Sequence, residues 1–236
     1  MAFIEFRDVR KIYQMGEVEV AAVDGMSFTV EKGEFVVVVG PSGSGKTTLL
    51  NMLGGMDSCT SGTIMLDGRD VSAFDEKELT YYRRYDIGFV FQFHQLLPEF
   101  TMLENVAMPA LIGGESRAEA FRRATDLIGY LGLADRASHR PTQLSGGERQ
   151  RAAVARSLIN NPSVILADEP SGSLDSANRR ELYDLFFRLR DERGHTFVIV
   201  THDESLAARS NRVIHIADGI ISPESKSAPL NRRANH

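Results

Sequence analysis

Five short, unbroken runs of apolar residues constrain the fold of this 236-residue chain more than any other feature of its sequence. A strand that is apolar on both faces must be covered on both, whereas a half-exposed strand alternates apolar and polar side chains. Fully covered strands are typical of parallel sheets flanked by helices, so the pattern predicts an α/β fold with a mostly parallel core sheet. The runs lie at residues 35–39, 87–91, 164–167, 197–200 and 213–216.

Other segments follow different periodicities. Residues 4–7 and 26–30 alternate apolar and polar side chains, which predicts half-exposed strands in an N-terminal antiparallel β subdomain. Between the second and third apolar runs, roughly residues 93–160 show a helical period and no strong strand. Because Ser116 and Glu119 also have the spacing of a capping box, we expect an inserted helical subdomain there.

The last third of the chain predicts one long helix and a tail. The helix should begin near Ser176 and end at Gly194, since glycine is common just after a helix. The polar tail from Ser222 onward is expected to be flexible and loosely ordered.

Composition excludes several classes of protein. With 42% apolar and 25% charged residues, the chain is too apolar for intrinsic disorder. Its 27 basic and 32 acidic residues give a net charge of −5, which does not support broad nucleic-acid binding. The single cysteine, Cys59, excludes an internal disulfide and a CxxC zinc site and favours a reducing compartment. Because no apolar run approaches the ~20 residues that span a bilayer, we expect neither a membrane-spanning segment nor a signal peptide.

The first apolar run leads directly into the sequence GPSGSGKT, which a helical pattern follows. In this strand–loop–helix context the motif GxxxxGK[ST] binds phosphate, whereas a flexible loop with a solvated lysine would not need that context. Backbone N–H groups surround the phosphate oxygens, the lysine reaches the β- and γ-phosphates, and the Thr47 hydroxyl binds Mg²⁺. The predicted phosphate-binding residues are Gly40, Pro41, Ser42, Gly43, Ser44, Gly45, Lys46, Thr47 and Thr48.

An acidic pair, Asp168 and Glu169, follows the third apolar run. Ligands of open α/β sheets bind outside the carboxyl ends of the strands, so we expect this pair and the glycine-rich loop to face one pocket. There Asp168 suits the Mg²⁺ shell, and Glu169 suits a catalytic general base that polarises an attacking water. Alone, such a pair is more often a solvated turn, but the phosphate loop reverses that preference.

A second glycine-rich segment, residues 144–150, reads LSGGERQ and precedes a helical run. Ser145 and Glu148 satisfy a capping box, so one interpretation is simply a well-formed helix start. However, a serine followed by Gly146 and Gly147 at a helix N-terminus also forms an anion cradle. The residues alone leave both interpretations open.

The two glycine-rich motifs together resemble those of the ATP-binding subunits of ABC transporters, and the resemblance extends from Tyr13 to about Ile221. It implies a P-loop NTPase with the ABC-type ATPase fold. It also implies that Ser145, Gly146 and Gly147 bind the γ-phosphate of ATP held by the opposite subunit, in a head-to-tail homodimer that encloses two ATP molecules. The implied single domain covers residues 1–221, with a RecA-like core at about 1–92 and 161–221 and a helical subdomain at about 93–160.

The same resemblance assigns four further residues. Gln92 corresponds to the glutamine of the Q-loop, which contacts Mg²⁺ and relays the nucleotide state to a membrane partner; alone it would be read as a surface residue. His202 corresponds to the switch histidine at the γ-phosphate, and its alternative is an ordinary loop histidine. Tyr13 corresponds to the aromatic residue that stacks on adenine, and its alternative is a core aromatic. Asp175 ends the segment SGSLD, which corresponds to the D-loop at the dimer interface.

Residues 91–109, FQFHQLLPEFTMLENVAMP, resemble the lipoprotein-releasing ATPases within the MacB, LolD and FtsE group of the family. In those ATPases the region packs against membrane subunits of the LolC and LolE type, so the apolar residues Phe93, Leu96, Leu97 and Phe100 are either a docking patch or subdomain core. The resemblance implies a peripheral ATP-hydrolysing subunit at the cytoplasmic face of a bacterial inner membrane that drives lipoprotein release toward the outer membrane. Export or division-complex regulation of the MacB or FtsE kind, and a soluble ABC-type ATPase acting on DNA or ribosomes, remain alternatives.

Overall fold

The computed structural model describes residues 2–223, so most of the tail predicted from Ser222 onward lies outside the described residues. The chain forms two compact units, one from segments before residue 80 and after residue 195, the other from residues 80–195. The strands are β1 (Ile4–Met15), β2 (Val18–Val30), β3 (Phe35–Val39), β4 (Ser61–Leu66), β5 (Arg69–Asp70), β6 (Ile87–Phe91), β7 (Val164–Asp168), β8 (Thr196–Val200), β9 (Arg212–Ala217) and β10 (Ile220–Ile221). The helices are α1 (Lys46–Leu53), α2 (Glu76–Tyr85), α3 (Met102–Ile112), α4 (Arg117–Tyr130), α5 (Gly146–Leu158), α6 (Ser176–Arg193) and α7 (Glu204–Arg209).

The first unit contains the predicted N-terminal antiparallel sheet, in the strand order β2-β1-β4-β5. β1 and β2 form a long hairpin in which Ile4 pairs with Val30 and Tyr13 pairs with Val20. Ile4 and Phe6 are buried whereas Arg7 is exposed, as expected for a strand with one covered face. The prediction of half-exposed antiparallel strands is therefore confirmed.

The first unit also contains buried parallel strands in the order β10-β9-β3-β8. β3 lies in the middle and runs parallel to both neighbours, since Val36 pairs with Val198 on one side and with Arg212 on the other. All residues of β3 except Val39 are buried, which explains why its sequence is an unbroken apolar run. The carboxyl end of β3 leads into the glycine-rich loop.

In the second unit, β6 and β7 pair in parallel, and α5 packs against both β6 and α3. α6 ends where predicted, because Gly194 adopts the left-handed conformation with φ +71°. The predicted capping box of α4 is only half formed. The Ser116 hydroxyl accepts the backbone N–H of Glu119, but the Glu119 carboxylate pairs with Arg122 at 2.6 Å instead of returning to the cap.

These elements confirm the predicted α/β class, with an antiparallel N-terminal sheet and buried parallel strands. Among the described residues, no helix is both long enough and apolar enough to cross a membrane.

Candidate functional site

The glycine-rich loop after β3 takes a backbone path that only glycine allows at two positions. A Cβ atom added to Gly40 would lie 2.0 Å from the carbonyl oxygen of Ile216, and one added to Gly45 would lie 2.1 Å from that of Ala22. Gly45 also has φ +97°, a left-handed conformation that side chains disfavour. Close backbone packing therefore requires glycine at both positions.

The loop ends at a helix N-terminus suited to an anion. Gly45 is the N-cap of α1, and the first turn has neither a side-chain cap nor an acidic residue. The backbone N–H groups of that turn and the positive end of the helix dipole thus attract negative charge. The Lys46 ammonium lies against the loop, 2.9 Å from the Gly40 carbonyl oxygen and 2.7 Å from that of Pro41. This arrangement fits a phosphate group.

His202 lies at the same sheet edge as this loop. β3 and β8 pair in parallel with Val38 opposite Val200, and the backbone N–H of Thr201 donates to the Val38 carbonyl at 3.2 Å. The chain therefore leaves both strands in the same direction, toward Gly40 in one case and His202 in the other. His202 is exposed, as a residue that contacts a ligand must be.

Tyr13 is held by side chains that sequence reasoning missed. Its hydroxyl donates to Asp57 Oδ2 at 2.6 Å, while Lys11 Nζ lies 2.5 Å from Asp57 Oδ1 and 4.9 Å from the Tyr13 ring centre. Burial, followed by the bond to Asp57, raises the pKa of Tyr13, although a hydrogen bond with Thr48 in the first turn of α1 opposes this. Tyr13 as a residue is 36% exposed and pairs across the hairpin with exposed Val20, which argues against a core role. Tyr13 and Asp57 lie 44 residues apart, so no local pattern reveals the contact.

In the second unit, the parallel pairing of β6 and β7 sets Phe91 opposite Asp168. Gln92 and Glu169 follow these paired residues and therefore leave the sheet at the same edge. Glu169 has φ +46°, a left-handed conformation that is uncommon for a residue with a side chain. Such backbone strain clusters at active sites, so the backbone conformation gives a second reason, besides the sequence position, to single out Glu169.

The predicted D-loop contacts the predicted Q-loop. The Ser173 hydroxyl donates to the Gln92 carbonyl at 3.4 Å. A Cβ atom added to Gly172 would lie 2.8 Å from Gln92 Nε2, so the Gln92 side chain packs directly against this glycine. The backbone of Gly172 in turn donates to the Glu169 carbonyl at 3.1 Å.

The first turn of α6, which follows the D-loop, contacts the start of α5. Asp175 caps α6 by accepting the backbone N–H groups of Ala177 and Asn178, and Asn178 Nδ2 donates to Asp175 Oδ2 at 2.7 Å. A Cβ atom added to Gly147 would lie 1.9 Å from Asn178 Oδ1, so the second glycine of LSGG packs directly on this corner. The backbone N–H groups that cap α6 hold the pKa of Asp175 below its usual value.

The LSGG segment forms the complete capping box that the sequence predicts. The Ser145 hydroxyl accepts the Glu148 backbone N–H at 3.2 Å, and Glu148 Oε2 accepts the Ser145 backbone N–H at 2.7 Å. These bonds, together with one from Arg136, lower the pKa of Glu148 to about 2. Ser145 is nevertheless exposed, so its hydroxyl lies at the surface.

The structure therefore gathers the predicted residues into one group per unit. The first unit holds Tyr13, residues 40–48 and His202, and the second holds Gln92, residues 145–147, Asp168, Glu169 and Asp175. Beside the second group, Phe93 is 78% exposed, Leu97 43% and Phe100 38%, while Leu96 is half-buried. This exposure favours a docking patch over subdomain core.

The chain resembles known proteins over most of its length. The family model described as ABC transporter matches residues 23–172. A relative from Bacteroides thetaiotaomicron, named lipoprotein-releasing system ATP-binding protein LolD, is 58% identical over 200 residues, which are 85% of this chain and 92% of the relative. A protein of the same name from Porphyromonas gingivalis is 53% identical over 221 residues, which are 94% and 99% of the two chains.

A solved structure matches the fold as well. The dimeric ATP-binding cassette MJ0796, in a post-hydrolysis state bound to ADP and Pi, has a TM-score of 0.86 and 41% identity over 93% of this chain and 96% of that chain. This likeness confirms the predicted ABC-type ATPase fold. Since the family model covers more than half of the chain and includes its phosphate loop, its LSGG segment and its acidic pair, the chain belongs to the ABC transporter family, as one of its ATP-binding proteins.

Proposed function

We propose that the chain is the ATP-hydrolysing subunit of an ABC transporter that drives lipoproteins from the bacterial inner membrane toward the outer membrane. The observation that carries the proposal is the glycine loop before α1, whose uncapped helix start and folded-back lysine form a phosphate cradle. Relatives named for lipoprotein release, at 58% and 53% identity, support the transport class. The chain would form a single ATPase domain over residues 1–221, with its RecA-like core at 1–92 and 161–221 and its helical subdomain at 93–160.

Each of the assigned residues would have its own role in binding or hydrolysing ATP. Residues 40–48 hold the phosphates and Tyr13 stacks on adenine. His202 contacts the γ-phosphate, while Glu169 accepts a proton from the attacking water as the new P–O bond forms and the bond to ADP breaks. The strained backbone of Glu169 supports its role as base.

The oxygen donors of the chain fit Mg²⁺, which prefers hard oxygen ligands and is held by only one or two protein groups plus phosphates and water. Thr47, Asp168 and Gln92 would hold the ion. Within residues 2–223 there is no cluster of three or more His, Cys, Asp or Glu side chains suited to a metal. When bound, Mg²⁺ neutralises charge on the β- and γ-phosphate oxygens.

A homodimer would form when ATP binds, with Ser145, Gly146 and Gly147 contacting the nucleotide of the opposite subunit and Asp175 near the interface. The surface position of Ser145 and the dimeric state of the 41% identical cassette support this arrangement. Differential affinity of ATP for the closed dimer would supply the free energy that moves the membrane partner.

The exposed patch of Phe93, Leu96, Leu97 and Phe100 would bind integral membrane subunits of the LolC and LolE type. It borders a cavity of about 280 Å³ whose lining includes Phe93, Leu96 and Gly146. Through this contact the chain would lie at the cytoplasmic face of the inner membrane as a peripheral subunit. The net charge of −5 gives no support for nucleic acid as a partner.

The test compares Glu169→Gln with Glu181→Gln, a matched change of an exposed carboxylate that pairs with Arg151. Glu169→Gln should bind ATP, release phosphate on the order of 100-fold more slowly or worse, and accumulate dimers, whereas Glu181→Gln should behave as wild type. Normal phosphate release by Glu169→Gln would remove that residue from the base role. The native membrane subunits that co-purify decide the transport class, and partners of an exporter or a division complex would overturn lipoprotein release.

A further inference from the structure

The backbone just after Gln92 makes an unfavourable turn. His94 and Gln95 are consecutive, and both have φ +49°. Left-handed conformations place the Cβ atom too close to backbone oxygen, so two in succession without glycine need outside support. The backbone N–H of Gln95 returns to the carbonyl of Phe93, which closes the turn tightly.

Arg156, near the end of α5, supplies that support. One of its terminal nitrogens donates to the Gln95 carbonyl at 2.6 Å and the other donates to the His94 carbonyl at 2.9 Å. The planar guanidinium of an arginine holds two separate donor nitrogens in a fixed geometry, whereas a lysine offers one flexible ammonium. Burial lowers the pKa of Arg156, because the charged guanidinium is partly removed from water. Its hydrogen bonds to the two carbonyls offset part of that cost.

Two further side chains join the same turn to α5. His94 is itself buried, with Nδ1 3.0 Å from the Gln92 carbonyl, and its imidazole also hydrogen-bonds the backbone of Gly146 at the start of α5. Gln150, fully buried in the middle of α5, donates from Nε2 to the Phe91 carbonyl at 3.3 Å. The middle and the end of α5 thus bind the backbone of residues 91–95, and the beginning of α5 binds the His94 side chain.

We propose that Arg156, assisted by His94, is a positioning residue that locks the Q-loop to α5, so that Gln92 and the LSGG segment move as one body. The role rests on the proposed function, in which Gln92 senses one nucleotide and Ser145 contacts another. A displacement of the exposed patch at Phe93 would then reach the start of α5 directly, because the intervening turn cannot flex on its own. Arg156 touches neither nucleotide nor attacking water in this account, and it acts through the two segments that it joins.

The direct test is backbone amide hydrogen exchange of residues 93–97 in the full chain. Arg156→Lys keeps the charge but loses the two-oxygen fork, so exchange there should become about tenfold faster. Arg151→Lys is the matched control, since Arg151 lies on the same helix and pairs with Glu181, and it should leave exchange unchanged. Gln95→Gly alone should change the exchange rate very little. Combined with Arg156→Lys, it should reduce the increase in exchange rate, because glycine tolerates the left-handed turn.

The functional test separates positioning from folding. Arg156→Lys should leave ATP affinity within about twofold of wild type but lower kcat about tenfold, and should reduce ATP-dependent dimers in a Glu169→Gln background. If Arg156→Lys does not fold, His94→Asn takes its place, since asparagine accepts left-handed backbone but is too short to bind both Gln92 and Gly146. Unchanged exchange at residues 93–97 would overturn the lock, whether or not the wild type hydrolyses ATP. Faster exchange with unchanged kcat and dimer formation would overturn the positioning role, and wild type without ATPase activity would instead count against the proposed function.

Discussion

The two glycine-rich helix starts satisfy their backbone donors in different ways. α1 begins after Gly45, which is left-handed and has no side-chain cap, and its first turn carries no acidic residue. α5 begins after Ser145, with a complete capping box to Glu148. In sequence both segments combine serine, glycine and a following helix, and both suggest anion cradles.

The difference shows that the start of α5 satisfies some of its backbone donors within the chain, whereas the start of α1 is suited to binding a ligand. An uncapped N-terminus leaves N–H groups that water or an anion must satisfy, whereas a capping box satisfies two of them internally. Nucleotide should therefore stabilise the region around α1 strongly. The LSGG segment should keep its shape without nucleotide, and it can present a preformed surface to a second subunit.

The largest expected effect comes from adding a methyl group at each start. Gly45→Ala would place Cβ against the Ala22 carbonyl, which cannot move without disturbing β2, and should cost more than about 3 kcal/mol of unfolding free energy. Gly147→Ala should cost about 1–2 kcal/mol, because the Asn178 side chain can rotate away with loss of its bond to Asp175. Urea denaturation measures both, with Gly43→Ala as the control for left-handed strain in open space. Equal costs at Gly45 and Gly147 would contradict the comparison.

Lys46→Ala tests whether an anion completes α1. Loss of a charge-assisted contact to phosphate should weaken ATP binding about 10- to 100-fold, and it should abolish most of the rise in melting temperature that ATP gives the wild type. Titration calorimetry and thermal unfolding with and without ATP provide the measurements. An ATP affinity equal to that of the wild type would show that the loop does not bind the phosphates.

Ser145→Ala tests whether the capping box within the chain stabilises the start of α5. Loss of the N-cap hydroxyl should cost about 1 kcal/mol without any nucleotide present. Ser116→Ala is the matched control, because Ser116 caps α4 with only half of a capping box, and it should cost less. A Ser145→Ala protein as stable as wild type, by chemical denaturation, would mean that α5 needs another partner.

The smallest effect is the pH dependence of the same cap. The folded-state pKa of Glu148 is about 2 against an ordinary value of 4.5, so its stabilising effect is full above pH 4.5 and is lost as the pH falls through 2. Glu148→Gln should therefore be less stable than wild type by under about 1 kcal/mol at neutral pH, and the gap should close as the pH falls toward 2. Denaturation curves between pH 2 and 7 measure the gap. A gap that is constant over this range would exclude the ionised carboxylate as its cause.

Local sequence patterns predicted the elements on which the candidate site is built. The unbroken apolar run at residues 35–39 and the alternating residues 4–7 became a buried parallel strand and a half-exposed antiparallel one. The capping box of α5 formed as predicted, but that of α4 did not, because Arg122 competes for the Glu119 carboxylate. Competition among nearby charges is a local effect too, yet the motif alone does not reveal which partner binds.

No local sequence pattern indicates the long-range contacts that support the candidate site. Asp57 reaches Tyr13 across 44 residues, and Arg156 reaches the carbonyl of Gln95 across 61. Neither Lys11 nor Arg156 stands out among the 27 basic residues of the chain. The left-handed backbone of Glu169 is likewise invisible in the sequence, since glutamate usually avoids that conformation.

The sequence by itself determined which segments become buried strands, where the phosphate loop and the LSGG helix begin, and the family to which the chain belongs. These features depend on periodicity, glycine spacing and capping, which act within a few residues. Only the tertiary structure decided that α1 starts without a side-chain cap, that Tyr13 is fixed by Asp57 and Lys11, and that Arg156 holds the turn after Gln92. Those contacts depend on which distant segments meet when apolar surface is buried, and a local sequence pattern does not determine that.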